Sequence, residues 1–225
     1  MIEKDFEEIS WLSQCETIPS WEQSGILHSF GGKNNSPKHI FLAKQVHGNH
    51  ITEVSDGHLQ QEEADGLATE ENNIPIGVKT ADCLPILVWT PRYILALHGG
   101  WKGLASGIIF RGISVLEEKI NLKTALVALG PCIGPNKFEV GPEVMQSICS
   151  TLAEKNIPLI GKKGSGDRWY IDLAIVAILQ LMQKKIASSQ ISVIRACTYE
   201  NASEYHSFRR DKDHVGRNIS WLALK

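Results

Sequence analysis

Residues 84–98, with the sequence LPILVWTPRYILALH, contain two apolar runs that are separated by a turn. The first run spans residues 84–89 and the second spans residues 93–97, and Pro91 and Arg92 lie in the turn between them. Apolar runs of this length that are bounded by turn signals are typical of buried β-strands. The stretch therefore predicts two strands, the second of which ends directly at His98.

Further apolar runs on both sides of this stretch predict a chain in which strands and helices are mixed. Strands are predicted within residues 25–32 and over residues 39–46, 51–54, 74–78, 124–129 and 191–197. Helices are predicted over residues 104–119, 143–154 and 172–185, and the apolar positions of the first recur near the helical period. Residues 33–38 and 161–168 predict loops, and residues 1–24 an irregular N-terminal arm. Because no repeat or linker interrupts the pattern, residues 1–225 predict one α/β domain.

The composition limits the classes of function. The chain has 225 residues, 43% of them hydrophobic, which is enough for one sizeable core. Its net charge of −2 predicts no general attraction to nucleic acid. The first ten residues lack the apolar region of a secretory signal, and no apolar stretch approaches the roughly 18 residues of a spanning helix. We therefore expect a cytoplasmic protein with no membrane partner.

The five cysteines do not predict a disulfide scaffold. Their number is odd, their spacing is wide, and no C-x-x-C pair occurs. Reduced thiols in a cytosolic protein are the simplest interpretation. The cysteines are Cys15, Cys83, Cys132, Cys149 and Cys197.

Three segments each carry one candidate metal ligand, namely His47 in KQVHG, Cys83 in TADCLP and His98 in LHGGWKG. A lone histidine is usually a structural hydrogen-bonding residue, and a lone cysteine is usually a small buried apolar residue. Together, two imidazoles and a thiolate suit Zn²⁺, and three protein ligands leave a fourth position open for chemistry. Copper is the less favoured metal, because blue-copper or multicopper sites need more ligands than the sequence offers.

Basic side chains supply candidate anion ligands. The adjacent Arg209 and Arg210 could grip an anion through paired N–H groups, with Lys102 as a further donor and Lys79 as a weaker one. The alternative is a solvated pair of arginines that is balanced by the neighbouring aspartates.

Three further residues have both a functional and a structural interpretation. Asp82 adjoins Cys83 and could orient a ligand or act as an acid or base, or it could cap the turn. Gln45 could bind a purine base, or it could simply end a strand. Trp101 could stack on a base or pack against its own turn.

Seven short segments follow one another along the chain: QVHG (45–48), ADG (64–66), TADCLP (80–85), HGGWKG (98–103), GPCIGP (130–135), SFRRD (207–211) and GR (216–217). Together and in this order, they resemble the laccase-domain family, formerly described as multicopper polyphenol oxidases and also as peptidoglycan editing factors. The resemblance covers about residue 25 to the C-terminus.

The resemblance implies a layered α/β fold with mixed sheets and a zinc site on His47, Cys83 and His98. It also implies phosphorolysis of adenosine, inosine, guanosine and methylthioadenosine, together with deamination of adenosine, so that nucleoside and phosphate are the expected partners. The metal could acidify a water for attack on the purine, or orient the substrate. The chain departs from the family pattern in Gly99-Gly100, in Lys102, where arginine is common, and in a shorter segment between residues 32 and 44.

Two other hypotheses remain open at this point. The chain could be a cysteine hydrolase that acts on a peptidoglycan precursor, with Cys83 as the nucleophile and a histidine as its base. It could also be a non-catalytic protein that binds a partner and keeps a relic of the site. The residues favour no oligomeric state and no single nucleoside.

Overall fold

The structure is a computed structural model that describes residues 6–13, 15–32 and 39–225. Its strands, in chain order, are β1 (Ser10–Leu12), β2 (Leu27–Phe30), β3 (Ile51–Ser55), β4 (His58–Leu59), β5 (Gly66–Thr69), β6 (Ile76–Thr80), β7 (Leu84–Trp89), β8 (Ile94–Gly99), β9 (Leu126–Leu129), β10 (Glu139–Val140), β11 (Gly161–Lys163), β12 (Trp169–Ile171), β13 (Ile191–Ile194) and β14 (Asn218–Ala223). Its helices are α1 (Pro19–Gln23), α2 (Trp101–Ala105), α3 (Ile108–Glu117), α4 (Pro142–Cys149), α5 (Leu173–Gln183) and α6 (Phe208–Asp211). Short 3-10 turns lie at Leu122–Thr124, Glu154–Leu159, Ser188–Gln190 and Lys212–His214.

The strands form one large sheet and two small ones. The large sheet has eight strands in the order β1-β13-β9-β7-β8-β5-β3-β4. It is mixed, because β1, β13 and β9 pair in parallel, as do β3 and β5, whereas β7 and β8 run antiparallel to all their neighbours. The small sheets, β2-β14-β6 and β10-β12-β11, are antiparallel. The predicted α/β class with mixed sheets is confirmed.

The apolar runs of β7 and β8 are continuous because the large sheet is covered on both faces. Alternate residues of β7 enter different clusters of the core: Ile86 and Val88 pack on the side of α3 and α5, whereas Leu87 packs on the opposite side. That opposite side is covered by the sheet β2-β14-β6, through Ile76 and Leu222 among others. The molecule thus has three layers, with helices, the large sheet and a small sheet stacked in turn.

The antiparallel pairing of β7 with β8 determines where the candidate ligands lie. Leu84, the first residue of β7, pairs with Gly99, the last residue of β8, and Pro85 pairs with His98. The start of β5 meets the same edge, because Gly66 pairs with Leu97. Chain segments that are distant in the sequence therefore end at one edge of the sheet.

The predicted strand over residues 39–46 is wrong. This segment makes only isolated bridges, from Phe41 to Ile76 and from Lys44 to Glu63. The physical reason is that the backbone changes partner along the segment, so that no ladder continues. Next to the second bridge, the side-chain amide of Gln45 donates to the carbonyl of Lys79 and accepts from the backbone N–H of Lys79. A side-chain amide thus replaces one step of a backbone ladder.

The predicted helix over residues 104–119 is in fact two helices, α2 and α3. They are separated at Gly107, whose φ of +88° lies in the left-handed region that glycine tolerates. The predicted helix 143–154 ends early, at Cys149, and the hydroxyls of Ser150 and Thr151 bond back to carbonyls of the preceding turn. Such local side-chain bonds compete with helix continuation.

Two segments that were predicted as irregular, and one for which no element was predicted, contain strands or a helix. Within residues 6–24, β1 extends the large sheet and α1 buries Trp21. Part of the predicted loop 161–168 is β11, which pairs with β12. The C-terminal segment contains β14, the central strand of its sheet. The predicted loop 33–38 and the first five residues of the predicted arm lie outside the described residues.

Within the described ranges, no helix has the length and apolar character that crossing a membrane requires.

Candidate functional site

His47, Cys83 and His98 converge at one edge of the large sheet. Their ligand atoms all lie within 4.8 Å of one another. The two imidazole rings meet edge to face, with their centroids 4.8 Å apart and their planes at 71°. His98 is buried at the end of β8, Cys83 directly precedes β7, and the exposed His47 lies in the loop before β3. The fold therefore brings together the three residues that the sequence predicted as ligands.

Asp65 holds two of these ligands in place. One oxygen of its carboxylate, Oδ1, lies 2.8 Å from Nδ1 of His98 and accepts the backbone N–H of His47 at 2.9 Å. The other oxygen, Oδ2, accepts the backbone N–H groups of Val46 at 3.1 Å and Gly48 at 2.7 Å. A carboxylate that bonds one ring nitrogen of a histidine fixes the ring and leaves the other nitrogen for a metal. Asp65 thus turns Nε2 of His98 toward Cys83.

The backbone of His47 is strained, and Asp65 compensates for this strain. His47 has a φ of +61°, a left-handed conformation that costs a residue other than glycine about 1–2 kcal/mol. Three successive backbone N–H groups, from residue 46 to residue 48, point at the same carboxylate. Such a concave array of N–H groups is typical of anion-binding turns. Although Asp65 lies in the ADG segment that matched the family, the sequence alone assigned it no role.

Gly100 leaves space beside the three ligands. A Cβ at this position would lie 3.2 Å from Sγ of Cys83, 3.2 Å from Cδ2 of His47 and 3.8 Å from Cε1 of His98. The φ of Gly100 is −68°, which any residue adopts, so the requirement for glycine here is one of space. Any larger side chain would occupy the room that an ion between the ligands needs.

The ionisation of the site favours a thiolate. Burial raises the pKa of Cys83, but hydrogen bonds from His47 and His98 outweigh burial and lower it to about 7. Burial likewise lowers the pKa of His98, but its hydrogen bonds with Asp65 and Cys83 raise it to about 9. The thiolate is the form of cysteine that binds metals and attacks electrophiles.

The donor set fits a zinc ion. Two imidazole nitrogens and one thiolate are borderline-soft ligands, and a three-residue set leaves one position open. Within the described part of the chain, His47, Cys83 and His98 form the only group of three or more such side chains that could hold an ion. The described residues therefore do not supply ligands for several copper ions.

A cavity of about 610 Å³ opens beside the three ligands. Its wall contains aromatic rings suited to a planar base and cationic groups suited to an anion. The aromatic residues are Trp101, Phe138 and Phe208, and the cationic ones are Lys44, Lys79, Arg209 and Arg217. Of these, the sequence analysis gave an individual candidate role only to Trp101, Lys79 and Arg209.

Asp82 and Gln45 line the cavity, but their polar atoms already have partners. The buried Asp82 has a φ of +91°, and its two oxygens accept the hydroxyl of Thr198 at 2.6 Å and the backbone N–H of Arg209 at 2.7 Å. It thereby connects the turn of Cys83 with α6. The amide of Gln45 is engaged with the backbone of Lys79. A catalytic role for Asp82 and a substrate-binding role for Gln45 stay predictions.

The two adjacent arginines have different surroundings. Arg209 lines the cavity, where its guanidinium lies over the ring of Phe138 and donates to the carbonyl of Glu139 at 3.2 Å. Arg210 does not reach the cavity wall, because its guanidinium forms two 2.7 Å bonds with Asp211 and donates to three backbone carbonyls.

Lys102 also lies outside the cavity wall. Its ammonium sits 5.8 Å from the ring centroid of Trp101, on the exposed side of α2. Of the four predicted anion ligands, Arg209 and the weaker candidate Lys79 reach the cavity.

The chain matches the family model described as multi-copper polyphenol oxidoreductase laccase over residues 28–225. It is 29% identical over 224 residues to the purine nucleoside phosphorylase YfiH of Escherichia coli (strain K12), and the alignment covers 97% of this chain and 87% of that protein. It is 34% identical over 190 residues to the purine nucleoside phosphorylase of Aquifex aeolicus, with 83% and 82% of the two chains covered.

The same fold occurs in a solved structure. The crystal structure of YlmD from Geobacillus stearothermophilus matches with a TM-score of 0.79 at 28% identity, over 84% of this chain and 74% of that chain.

Proposed function

The chain belongs to the multi-copper polyphenol oxidoreductase laccase family, and on this premise we propose that it is a zinc-dependent purine nucleoside phosphorylase. The observation that carries the proposal is the convergence of His47, Cys83 and His98 beside a cavity of about 610 Å³. Cavities of roughly 300–1,000 Å³ are typical of small-molecule sites. The names of the relatives from E. coli and A. aeolicus support the reaction class.

In phosphorolysis, an oxygen of phosphate forms a bond with C1′ of the ribose while the bond between C1′ and the purine nitrogen breaks. The products are ribose 1-phosphate and the free purine, which takes up the proton that phosphate loses. The reaction therefore requires a flat apolar surface for the base and fixed positive charge for the phosphate. Both occur in the cavity wall. Trp101, Phe138 and Phe208 supply the apolar surface, and Arg209 is one of the residues that supply positive charge.

The ligand residues hold the ion and the nearby side chains hold the substrate. Zinc bound to His47, Cys83 and His98 would supply a Lewis acid that polarises a substrate atom or acidifies water. Asp65 keeps the ring of His98 oriented. Phe138 and Phe208 exclude water from the face of the base, and Arg209 donates to phosphate. Both small molecules, nucleoside and phosphate, are thus accommodated in one cavity.

We include adenosine, inosine, guanosine and methylthioadenosine among the proposed substrates, and deamination of adenosine as a second reaction of the same site. In deamination, the oxygen of water forms a bond with C6 of the purine, the bond between C6 and the amino nitrogen breaks, and ammonia leaves with a proton of that water. A cytoplasmic location stays a prediction, in keeping with a reduced thiol at the site.

The direct test uses the purified chain with one equivalent of zinc, adenosine and inorganic phosphate. The expected products are adenine and ribose 1-phosphate, with inosine and ammonia from deamination. The variant Cys83→Ser should lose both reactions. The absence of all four products from protein that contains stoichiometric zinc would contradict the proposal.

The geometry of Cys83 also favours a second candidate, a cysteine hydrolase that acts on a peptidoglycan precursor. A thiol with a pKa of about 7 that contacts two imidazoles has the arrangement of a nucleophile and its base. A covalent acyl adduct on Cys83 of the metal-free protein, formed with a precursor peptide, would support this candidate. Turnover that requires zinc and leaves the thiol unmodified would exclude it.

A further inference from the structure

Asp82 joins the turn of Cys83 to three other segments of the chain. Its backbone carbonyl accepts the N–H of Ile133 at 2.9 Å. Its carboxylate accepts the hydroxyl of Thr198 at 2.6 Å through Oδ1 and the backbone N–H of Arg209 at 2.7 Å through Oδ2. Segments up to 127 residues apart in the sequence therefore meet at this one residue.

The backbone of Asp82 is shaped for this connection. Its φ of +91° lies in the left-handed region, which aspartate and asparagine adopt more readily than most residues other than glycine. The conformation turns the chain between β6 and β7. Asp82 contributes to the cavity wall but is only 9% exposed, and both its oxygens are bonded to protein groups. Its carboxylate thus binds the surrounding protein.

The element that Asp82 holds is α6, which carries two side chains of the cavity wall. Phe208 and Arg209 both lie in α6, and both line the cavity. A helix of four residues is far too short to be stable by itself, so its position depends on contacts with other segments. The bond from the N–H of Arg209 to Asp82 is one such contact. It ties the first turn of α6 to the residue before Cys83.

Thr198 supports Asp82 from within the protein. It is fully buried, and its backbone N–H donates to the carbonyl of Cys132 at 3.0 Å. Its hydroxyl donates to Asp82, and its carbonyl accepts Nη1 of Arg210 at 2.8 Å. Thr198 therefore contacts both the carboxylate that holds α6 and a side chain of α6 itself.

We propose that Asp82 is a positioning residue that fixes α6, and with it Phe208 and Arg209, relative to Cys83. The assignment rests on the proposed function, in which Phe208 and Arg209 contact the base and the phosphate. It differs from the hypothesis of an acid or base at this position, because here the carboxylate accepts two hydrogen bonds and transfers no proton. Asp82 thereby sets the separation between the metal ligand and the substrate-binding side chains.

Asp82→Asn separates positioning from proton transfer. The amide oxygen can accept the N–H of Arg209, and the amide nitrogen can donate to Oγ1 of Thr198, because a hydroxyl also accepts hydrogen bonds. We expect this variant to keep kcat/KM for phosphate within about threefold of the original chain, whereas loss of a general acid or base lowers rates about 10²- to 10⁴-fold. Product assays on zinc-loaded protein measure the difference.

Asp82→Ala removes both hydrogen bonds of the carboxylate. We expect kcat/KM for phosphate to fall about 10- to 100-fold, as for a binding group that is misplaced by about 1 Å. The shape of the pH–rate profile should not change, because no titrating catalytic group is lost. Asp56→Ala is the matched control, since Asp56 also has a left-handed φ, of +52°, in the turn between β3 and β4 outside the described cavity wall. It should leave the kinetics unchanged.

Thr198→Val tests the same connection from a buried position. It removes the hydroxyl and keeps a β-branched side chain, so kcat/KM for phosphate should fall about 3- to 10-fold, as for one lost hydrogen bond. Thr198→Ser keeps a hydroxyl and should restore the original value. Together with Asp82→Asn, this pair decides the question even where Asp82→Ala does not fold.

Hydrogen exchange of the backbone amide of Arg209, followed by NMR, needs no turnover. The amide should be protected in the original chain and in Asp82→Asn, and it should exchange at least about tenfold faster in Asp82→Ala and Thr198→Val. If the original chain forms no ribose 1-phosphate but shows this pattern of exchange, the phosphorylase is refuted and the positioning of α6 by Asp82 stands.

Two results would overturn the assignment. The first is a loss of turnover of a hundredfold or more in Asp82→Asn while the amide of Arg209 stays protected, which would make the carboxylate itself part of the chemistry. The second is unchanged exchange at Arg209 in Asp82→Ala and Thr198→Val, with unchanged kcat/KM for phosphate. In that case α6 keeps its position without Asp82.

Discussion

Asp65 and His98 form a buried pair in which a carboxylate oxygen lies 2.8 Å from the imidazole Nδ1, and Asp65 itself is only 1% exposed. The same carboxylate also binds the backbone that carries His47. One acidic side chain thereby sets the positions of two candidate metal ligands that are 51 residues apart, the difference between positions 47 and 98. We therefore expect metal binding to depend on this residue as well as on the ligands themselves.

We expect Asp65→Asn to weaken zinc binding by about 10- to 100-fold, which is typical for loss of a carboxylate behind a ligating histidine. The asparagine amide cannot both accept the bond from Nδ1 and satisfy the three backbone N–H groups. Competition with a fluorescent zinc chelator measures the affinity. Asp167→Asn, at an exposed loop carboxylate, is the control and should bind zinc normally. Equal zinc affinity in the two variants would remove Asp65 from the site.

Gly100→Ala should remove the metal without unfolding the chain. The new Cβ would lie 3.2 Å from both Sγ of Cys83 and Cδ2 of His47, so that the ligands can no longer close on one ion. Zinc content after dialysis measures the effect. Gly164→Ala is the matched control, because its Cβ would be equally crowded, 3.2 Å from the ring of Tyr170, but distant in sequence from every ligand segment. Full zinc occupancy in Gly100→Ala would contradict the role of this glycine.

In the metal-free protein, the rate at which iodoacetamide alkylates Cys83 should rise with pH around a midpoint of about 7, the pKa that its hydrogen bonds with the two histidines produce. Because this pKa lies below the ordinary value of 9.0, the thiolate persists as pH falls from 9 and is lost only through the midpoint near 7. Cys132 is the internal control, since burial raises its pKa well above 9.0. Mass spectrometry of alkylated peptides measures both rates. A midpoint near 9 for Cys83 would show that the histidines do not stabilise the thiolate.

Substitution of the two adjacent arginines should affect different properties, namely the stability of the fold for Arg210 and the rate of phosphorolysis for Arg209. Arg210→Ala leaves the carbonyls of Thr198, Tyr199 and Tyr205 without their donor and should destabilise the fold by about 2–3 kcal/mol, or lower Tm by roughly 4–12 °C. Arg209→Ala removes a cavity-lining cation and should lower phosphorolysis with little change in Tm. Thermal melts and product assays measure the pair. A stable Arg210→Ala with reduced phosphate affinity would reverse the assignment.

Much of the fold followed from hydrophobic patterning. The bounds of β7 match the predicted 84–89, because a strand that is buried on both faces is a continuous apolar run with turn residues at each end. Residues 39–46 also contain apolar residues but form no strand, because their backbone pairs with one segment at Phe41 and with another at Lys44, and the side chain of Gln45 bonds to the backbone of Lys79. Partners that lie 34 residues away cannot be read from local periodicity.

The candidate ligands were predictable, but the residues that support them were less so. His47, Cys83 and His98 each have chemistry that is visible in the residue type. Asp65 had no role that the sequence could assign, and only its hydrogen bonds with His98 and with the backbone of His47 show that it supports the ligands. Arg210 was predicted to bind an anion because it neighbours Arg209, yet the turn of α6 directs it to Asp211 and backbone carbonyls instead.

The central claim is that two imidazole nitrogens and one thiolate bind a single ion. X-ray absorption at the zinc K edge, on protein loaded with one equivalent of zinc, tests it most directly. We predict one sulfur at about 2.3 Å and two imidazole nitrogens at about 2.0–2.1 Å, with one lighter ligand completing the site. In Cys83→Ala the sulfur contribution should disappear. A zinc spectrum of the original chain without sulfur, or with the same sulfur contribution in Cys83→Ala, would contradict the account.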